Sequence, residues 1–365
     1  AFLRTRTGGA PAGVDDAMKV LDQAEGEGWF AYNCDAVEFA AGLPSDAIDF
    51  SVYSPPFSSL YIYSESERDM GNVASHEEFF AAYRHLIREK FRATKPGRVT
   101  AVHCSDLPRT KQSHGVVGLY DFPADVRAAH ESEGWIYYGK VTIWKDPVVE
   151  MTRTKALGLL YKTLRTDATR CRPGMPDYLL IFRKPIGEVD GKTPDPVTHD
   201  PDDYPVSWWQ EAASPVWMTI NQTNVLNVQS ARTEKDEKHL CPLQLDVIQR
   251  ALFLYSNPAE TVWSPFMGVG SEGVVSLRHG RRFVGTELKP EYFAQAVRNL
   301  SSAEVSTGDL FAAAVEAAGT PSDLMIWFVN RMTSELLKMY PELVVTTLAY
   351  HYTQAPPTNT SRPAP

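Results

Sequence analysis

Residues 260–288 read ETVWSPFMGVGSEGVVSLRHGRRFVGTEL, a pattern of strand, glycine turn, helix and strand. The turn carries Gly268, Gly270 and Gly273, and Glu287 ends the second strand. Glycines let the backbone approach a ligand closely, and a helix N-terminus favours negative charge. An acid at the tip of the next strand can accept both hydroxyls of a ribose. The stretch predicts a βαβ unit that binds a nucleoside-containing cofactor, although a tight turn with a solvated glutamate also fits the pattern.

The segments before this unit also alternate between helix and strand. The run IDFSVYS (48–54) is typical of a buried strand, and the prolines that follow cannot continue a central strand. Residues 76–93 have a helical apolar period, and 98–104 and 177–184 are apolar strands. CPLQLDVIQRALFLYS (241–256) predicts a helix with Pro242 in its first turn. Such alternation is typical of an α/β fold.

Composition restricts the function classes. The chain has 365 residues, with 36 Lys or Arg and 45 Asp or Glu, so its formal net charge is −9. This balance argues against a protein that coats nucleic acid non-specifically, but it permits a local basic groove. No apolar run reaches the roughly 18 residues of a membrane helix, and the first residues lack a secretory signal pattern. We expect a cytoplasmic protein without a membrane partner.

Cysteine and histidine spacings predict neither a metal site nor a disulfide scaffold. The four cysteines lie far apart and form no C-x-x-C pair, which favours reduced thiols packed as small core residues. They are Cys34, Cys104, Cys171 and Cys241. The histidines His103, His114 and His239 show no ligand spacing, so none is assigned to a metal.

A second motif, Ser54-Pro55-Pro56-Phe57, stands at the end of the buried strand 48–54. Two prolines fix φ and lack N–H groups, so the turn is rigid and offers carbonyl oxygens and a hydroxyl as acceptors. Two acceptors that hold the hydrogens of an exocyclic amino group would favour a pyramidal nitrogen with a free lone pair. Phe57 could stack on a planar base. An ordinary strand-ending turn is the alternative interpretation of the motif.

Together these motifs resemble the family of DNA amino-methyltransferases, which transfer a methyl group from S-adenosylmethionine to adenine N6 or cytosine N4. The family's catalytic motif (D/N/S)PP(Y/F) matches Ser54 to Phe57, and its cofactor motif F-x-G-x-G matches Phe266 to Gly270, followed by Ser271 and the acid Glu287. The segment 238–252, with His239 and Pro242, resembles the one that packs under the methionine end of the cofactor, and Asp35 matches the acid near the adenine. Ser264 departs from the Asp that the family commonly has there. The catalytic motif precedes the cofactor motif, as in the β class, over about residues 29–300.

The resemblance implies a Rossmann-like methyltransferase fold: a mainly parallel seven-stranded sheet with helices on both faces and the cofactor at the strand C-termini. The target base leaves the duplex, Phe57 stacks on it, and Ser54 Oγ and the Pro55 carbonyl accept the amino hydrogens. The nitrogen then attacks the cofactor methyl directly, and S-adenosylhomocysteine is the other product, with no metal required. Ser at position 54 goes mostly with cytosine N4 in the family, so we favour cytosine over adenine.

The resemblance also predicts how the chain is organised. We expect a flexible segment (1–28), a catalytic half (29–184), a linker and target-recognition region (185–237), a cofactor-binding half (238–300) and a helical extension with a disordered Pro-rich tail (301–365). Helices in 301–340 would pack on the sheet or form a homodimer contact. Double-stranded DNA is the expected partner, and a cognate restriction endonuclease is a further candidate. The resemblance also implies that the cytoplasm is that of a prokaryotic or phage-infected cell.

A basic stretch is the candidate DNA-phosphate track, with a solvated helical face as the alternative. Its members are Arg153, Lys155, Lys162, Arg165, Arg170 and Arg172. The tryptophans at 208, 209 and 217 are expected to form a small core rather than to insert into DNA. The polar segment 61–72 either closes over the flipped base or is a surface loop.

Two further hypotheses come from other functional classes. The glycine motif with Glu287 also fits a nicotinamide-dependent oxidoreductase, which would leave the SPPF motif and the 238–252 segment unexplained. A non-catalytic DNA-binding relative would retain the fold, but the intact catalytic and glycine motifs argue against decay.

Overall fold

The computed structural model describes residues 20–57, 70, 75–109, 111–154, 157–187, 195–201, 204–227 and 242–303. The expected tail and the helices of 301–340 lie almost wholly outside these residues. The strands are β1 (Asp22–Gly26), β2 (Trp29–Asn33), β3 (Ile48–Tyr53), β4 (Thr94–Ser105), β5 (Leu107–Arg109), β6 (Gly118–Tyr120), β7 (Ile136–Ile143), β8 (Asp177–Arg183), β9 (Val216–Trp217), β10 (Thr261–Ser264) and β11 (Arg282–Glu287). The helices are α1 (Ala36–Gly42), α2 (His76–Ala93), α3 (Lys111–His114), α4 (Phe122–Ser132), α5 (Pro147–Thr154), α6 (Tyr161–Thr166), α7 (Val206–Ala212), α8 (Leu245–Tyr255), α9 (Ser271–Arg278) and α10 (290–303).

One large sheet of the described residues has the strand order β1-β2-β11-β10-β3-β4-β8-β7-β9, and β5 and β6 form a separate hairpin. Strands β2, β11, β10, β3 and β4 run parallel, whereas β8 is antiparallel to both of its neighbours. The predicted α/β fold with a mainly parallel sheet is confirmed. The predicted number of seven strands is wrong, because the sheet has nine strands.

The two additional strands lie at the edges of the sheet. Strand β1 pairs antiparallel with β2 across a turn at Gly28, whose φ is 81°. The segment 1–28 is therefore not loose throughout, since its last part forms a hairpin strand that covers the edge of β2. At the opposite edge, β9 adds two residues beside β7, and its Trp217 is buried while Trp209 is exposed.

Helices cover both faces of the sheet, as predicted. Alternate residues of a strand point to opposite faces, and β3 shows this clearly. The ring of Phe50 lies 6.0 Å from that of Tyr255 in α8, whereas the hydroxyl of Tyr53 lies 2.8 Å from that of Tyr83 in α2. Helix α8 begins at Leu245 because Gln244 has an extended backbone, so Pro242 lies before the helix and not in its first turn.

The topology decides which loops lie at the C-terminal ends of the parallel strands. Ile143 of β7 pairs with Asp177 of β8, which pairs with Ser105 at the C-terminal end of β4, so the connection 144–176 lies at these ends. By contrast, Arg183 pairs with Val99, so the chain leaves β8 at the N-terminal ends of the parallel strands. The region predicted for target recognition thus begins at the N-terminal ends and returns through β9 to the C-terminal ends.

The segment 195–201 is held at the N-terminal ends of the strands by an ion pair of Asp195 and by hydrogen bonds of Pro196 and Thr198 with Asn257. The surrounding charges form a small network. Lys95 Nζ lies 2.5 Å from Asp49 and 3.2 Å from Asp195, and Arg98 pairs with Glu260. These three carboxylates lie close enough to hold a cation, but each of them already forms an ion pair with Lys95 or Arg98. Among the described residues no helix combines the length and the apolarity needed to cross a membrane.

Candidate active site at the strand ends

The two sequence motifs meet because their strands are neighbours. In the parallel pair of β3 and β10, Ser51 is in register with Trp263. Each motif begins three residues later, at Ser54 and at Phe266, so both leave the sheet side by side. The ring centroids of Phe266 and Tyr53 lie 5.9 Å apart. The sheet therefore joins segments that are more than 200 residues apart in sequence.

The SPPF motif forms a partly covered ledge at the end of β3. Pro55 is buried, and Ser54, Pro56 and Phe57 are half-buried. The Phe57 ring packs edge-on against Phe122, with centroids 6.0 Å apart. The Phe57 ring is thus anchored against the core cluster at the end of β3. The expected mobile segment 61–72 lies outside the described residues apart from Met70.

The Ser54 hydroxyl contacts a residue that the sequence interpretation did not assign. Its Oγ lies 3.1 Å from His103 Nδ1, and the hydroxyl also donates at 3.2 Å to the His103 carbonyl oxygen. On the other side of the ring, Nε2 lies 3.2 Å from an Asp177 carboxylate oxygen, and Lys145 donates a 2.6 Å hydrogen bond to the second oxygen. The available signal was register: Tyr53 pairs with Val102, so His103 follows alongside Ser54.

The carboxyl of Asp177 is ionised at neutral pH. Burial raises its pKa, but the ammonium of Lys145 and the imidazole of His103 outweigh that effect and hold the pKa at about 2. A buried carboxylate thus faces His103 Nε2 throughout the physiological range.

Behind the ledge, a buried polar network supports β3. Lys90 of α2 donates hydrogen bonds to the Tyr53 hydroxyl and, at 3.1 Å, to Thr100 Oγ1, and its Nζ lies 3.3 Å from His130 Nε2. Burial holds the pKa of Lys90 well below its ordinary value. The amine therefore ties α2 to β3 and β4 through buried hydrogen bonds.

The three glycines of the predicted turn have different tasks. Gly268 and Gly270 have φ of 53° and 87°, values that strain other residues. A Cβ at Gly268 would meet no atom within 4 Å, so this position faces open space. A Cβ at Gly273 would lie 2.6 Å from the Phe283 ring and would also meet Leu300. Gly273 thus allows helix packing, whereas Gly268 leaves room for a ligand.

Glu287 stands beside the glycine loop with its carboxylate fixed by backbone donors. Gly268 N–H donates to Oε2 at 2.9 Å and Lys289 N–H donates to Oε1 at 2.8 Å. Buried Asn33 of β2 holds the end of β11 by donating to the Glu287 and Leu288 carbonyls at 2.7 and 3.0 Å. A carboxylate oxygen can accept more than one hydrogen bond, so Glu287 can still accept ribose hydroxyls.

Asp35 lies at the end of the neighbouring strand. It caps α1 by accepting hydrogen bonds from Val37 N–H at 2.8 Å and Glu38 N–H at 3.0 Å through one oxygen. Because Asn33 is in register with Glu287, the two predicted acids leave adjacent strand ends. The adjacent Cys34 is buried, and burial with the charges of Asp35 and Glu38 raises its pKa to about 12.

Several buried polar atoms near these strand ends have no hydrogen-bond partner. Besides His103 Nε2, those without a hydrogen-bond partner among the described residues include Ser264 Oγ at the end of β10, Ser271 Oγ at the start of α9 and Gln244 Oε1 at the start of α8. Buried polar groups are normally paired, so these three fit a polar ligand that enters the site. Gln244 was not assigned from the sequence, and His239 lies outside the described residues. The residues present therefore suit a cofactor with a polar tail.

Glu272 is a second carboxyl behind the glycine loop. It is 3% exposed. Burial raises its pKa to about 8, the helix backbone opposes this rise, and the charge of Glu287 adds to it. Glu272 is therefore mostly protonated at neutral pH.

The basic stretch lies in the connection 144–176, at the C-terminal ends of the parallel strands. Lys162, Arg165 and Arg170 are exposed, and Arg172 is half-buried and donates to the Pro173 carbonyl at 2.9 Å. The backbone of Arg153 belongs to α5, but its side chain, like all of Lys155, lies outside the described residues. The structure thus places three exposed cations on the side of the sheet that carries the SPPF motif.

Residues 48–298 match the family model N6_N4_Mtase, described as DNA methylase. A second model, for a domain of unknown function, matches residues 306–364, beyond the described part of the chain.

Known methyltransferases are similar to parts of this chain. Type II methyltransferase M.BglII of Bacillus subtilis is 23% identical over 287 residues, which cover 74% of this chain and 68% of the relative. Type II methyltransferase M1.MboII of Moraxella bovis is 35% identical over 68 residues, 19% of this chain and 26% of the relative. DNA adenine methyltransferase YhdJ of Escherichia coli K12 is 33% identical over 82 residues, 22% of this chain and 28% of the relative. The chain thus spans about a quarter of the length of the last two relatives.

Solved structures share the fold. The PvuII DNA methyltransferase (cytosine-N4-specific) has a TM-score of 0.52 and 15% identity, covering 77% of this chain and 92% of that chain. A Thermus thermophilus protein solved in complex with S-adenosyl-L-methionine has a TM-score of 0.55 and 19% identity, covering 76% of this chain and 93% of that chain. At these identities the likeness establishes the common architecture.

Proposed function

Because the chain belongs to the DNA methylase family, we propose that it transfers a methyl group from S-adenosylmethionine to the exocyclic amino group of a flipped DNA base. The observation that carries this proposal is the meeting of the SPPF motif and the glycine loop at the ends of β3 and β10. A nicotinamide-dependent oxidoreductase has no use for a proline ledge beside its cofactor, and family membership removes the support for that alternative.

The cofactor would be held by the ends of five elements, β2, β10, β11, α8 and α9. Glu287 accepts the ribose hydroxyls, Gly268 leaves space for close approach, and Asp35 lies on the adjoining strand end. The unpartnered oxygens of Ser264, Ser271 and Gln244 suit the amino and carboxylate groups of the methionine part. When bound, S-adenosylmethionine supplies an electrophilic methyl group and is left as a neutral thioether.

The SPPF ledge holds the base. Phe57 offers a ring face for stacking, and Ser54 Oγ and the Pro55 carbonyl accept the amino hydrogens. Pro55 and Pro56 restrict the backbone, so the acceptors are positioned before the base arrives. The contribution of this chain to the reaction is mainly positioning, which can account for about 7–11 kcal/mol of a barrier.

We propose cytosine N4 as the target, with adenine N6 as the alternative. The presence of Ser at position 54 favours cytosine by association within the family, whereas the catalytic ledge makes the same chemical demand of both amino groups. Relatives of both kinds share sequence or fold with this chain.

DNA would approach the sheet from the C-terminal ends of the parallel strands. We propose that Lys162, Arg165 and Arg170 contact its phosphates from the connection 144–176, together with Arg153, Lys155 and Arg172. The segment 218–227 follows β9 and starts at the same strand ends. We propose that this described part of the predicted recognition region contacts the bound duplex. A homodimer and a cognate restriction endonuclease remain proposed partners.

The test is to incubate the chain with S-adenosylmethionine and unmethylated genomic DNA, digest the DNA to nucleosides and resolve N4-methylcytosine from N6-methyladenine by mass spectrometry. We expect N4-methylcytosine from the wild-type chain and none from Ser54→Ala. The exposed Ser132→Ala variant in α4 is the matched control and should retain full activity. Cofactor binding without any methylated nucleoside would refute the proposed function.

A further inference from the structure

Ser54, His103 and Asp177 form a continuous polar chain that leads away from the catalytic ledge. The steps are 3.1 Å from Ser54 Oγ to His103 Nδ1 and 3.2 Å from Nε2 to the Asp177 carboxylate. His103 and Asp177 are 7% and 4% exposed, and they lie on adjacent strands, β4 and β8. Lys145 closes the chain with its 2.6 Å hydrogen bond to Asp177. Two charged or titratable groups are therefore buried directly behind the catalytic hydroxyl.

The proposed reaction creates a proton that must leave the amino nitrogen. We propose, on the basis of the proposed function, that His103 is a positioning residue that acts through Ser54, turns the Ser54 hydroxyl towards itself and receives the proton that Ser54 passes on. Asp177 orients the ring and stabilises its protonated form. None of these roles was apparent from sequence spacing.

The proton path balances without a further reactant. Once nitrogen carries the new methyl group, one N–H bond breaks, its electron pair stays on nitrogen and the proton moves to Ser54 Oγ. The original Ser54 proton moves to His103 Nδ1. Ser54 is regenerated as a neutral hydroxyl, and the imidazolium then releases its proton to solvent. The serine is a relay here and forms no covalent bond to substrate.

The surrounding charges favour this assignment. The negative charge of the Asp177 carboxylate, 3.2 Å from Nε2, favours the tautomer with hydrogen on Nε2. Nδ1 is then an acceptor that shares the Ser54 hydroxyl with the His103 carbonyl oxygen. The ionised Asp177, with its pKa held at about 2, then offsets the positive charge of the imidazolium, while Lys145 moderates that effect.

Further charges act on the other face of β4, to which the side chain of the next residue, Cys104, points. Asp106, Asp121 and Lys140 act, with Asp177, on the buried thiol of Cys104 next to His103. Burial and these acids raise the pKa of Cys104 well above its ordinary value, so the thiol stays neutral. The carboxylate in contact with the ring remains Asp177.

The experiment compares wild type with His103→Asn, whose amide retains a hydrogen-bond partner for Ser54 but cannot take up a proton. With genomic DNA and S-adenosylmethionine, we expect kcat to fall about 100-fold, while KM for both substrates changes less than about twofold. The wild-type rate should lose activity on the acidic side as one group protonates, and His103→Asn should lack that limb. Exposed His85→Gln in α2 is the matched control.

Three measurements separate positioning from a merely structural role. Asp177→Asn should lower kcat by about tenfold. If His103→Asn does not fold, this second variant still tests the inference. Ser54→Ala and Ser54→Ala/His103→Asn should be equally impaired, because His103 acts only through the hydroxyl. Independently of turnover, ¹⁵N NMR of the neutral His103 ring should show hydrogen on Nε2.

The inference is overturned if His103→Asn retains the wild-type kcat or the acidic limb, if its effect adds to that of Ser54→Ala, or if the hydrogen is on Nδ1. A wild-type chain that binds cofactor but methylates no DNA refutes the proposed function and the inference together. An active wild type with an unaffected His103→Asn refutes the inference alone.

Discussion

Replacing Glu272 by glutamine is expected to stabilise the folded protein at neutral pH. The carboxyl is buried behind the glycine loop, and burial, reinforced by the charge of Glu287, raises its pKa from 4.5 to about 8. Between these values the folded chain holds a proton that the unfolded chain has released. The free energy of unfolding therefore falls as pH rises through this window.

The magnitude follows from the linkage of one proton. From pH 4.5 to pH 7, at 1.36 kcal/mol per pH unit, the loss is about 3 kcal/mol. Glutamine has the same shape, retains the hydrogen-bonding capacity of the protonated acid and does not titrate. Relative to Glu272→Gln, the wild type should thus lose about 3 kcal/mol of stability over this range.

Urea unfolding of both full-length chains without cofactor, at half-unit steps from pH 4.5 to pH 8, measures this difference. Titrations shared by the two chains cancel in the comparison. The control is Glu25→Gln, an exposed position of β1, which should parallel the wild type. Parallel curves for wild type and Glu272→Gln would refute the reasoning.

Three further predictions concern other parts of the fold. Burial lowers the pKa of Lys90, so below the ordinary lysine pKa the folded chain binds fewer protons than the unfolded chain. In urea unfolding, the free energy of unfolding of Lys90→Met should therefore rise relative to that of the wild type as pH falls from 10 to 7. Gly268→Ala should weaken S-adenosylmethionine binding at least about tenfold by calorimetry, and its positive φ should cost about 1 kcal/mol of stability. Gly273→Ala should lose about 1–3 kcal/mol of stability, because the added methyl group meets Phe283. Lys162→Ala should reduce the slope of log K against log salt for DNA binding by about one, and an unchanged slope would exclude a phosphate contact.

Local patterns were sufficient to predict the central strands of the sheet. The apolar runs of β3, β10 and β11 and the helical period of α2 appear where the sequence indicates them. The strand count was wrong because β1 and β9 are edge strands with exposed residues, so they lack the buried pattern on which the prediction relied.

The motifs of the candidate site were recognisable because glycine and proline have specific backbone roles. His103, Asp177 and Gln244 were not, because their proximity depends on strand register and helix position rather than on spacing. The antiparallel insertion of β8 between β4 and β7 brings Asp177 beside His103. Likewise, the partial exposure of Arg172 and the ion pairs of Lys95 and Arg98 arise from tertiary packing that no local pattern contains.

The order of the strands has a consequence for how the chain folds during synthesis. Strand β2 emerges early, yet its parallel partner β11 follows about 250 residues later, as the hydrogen bond from Asn33 to Glu287 shows by its separation of 254 residues. Until then one edge of β2 and one edge of β3 have no partner strand. Pairings of such long range fold slowly, and waiting edges invite association with other chains. The hairpin partner β1 already covers the other edge of β2, so the nascent chain presents fewer surfaces for aggregation while the cofactor half is still being made.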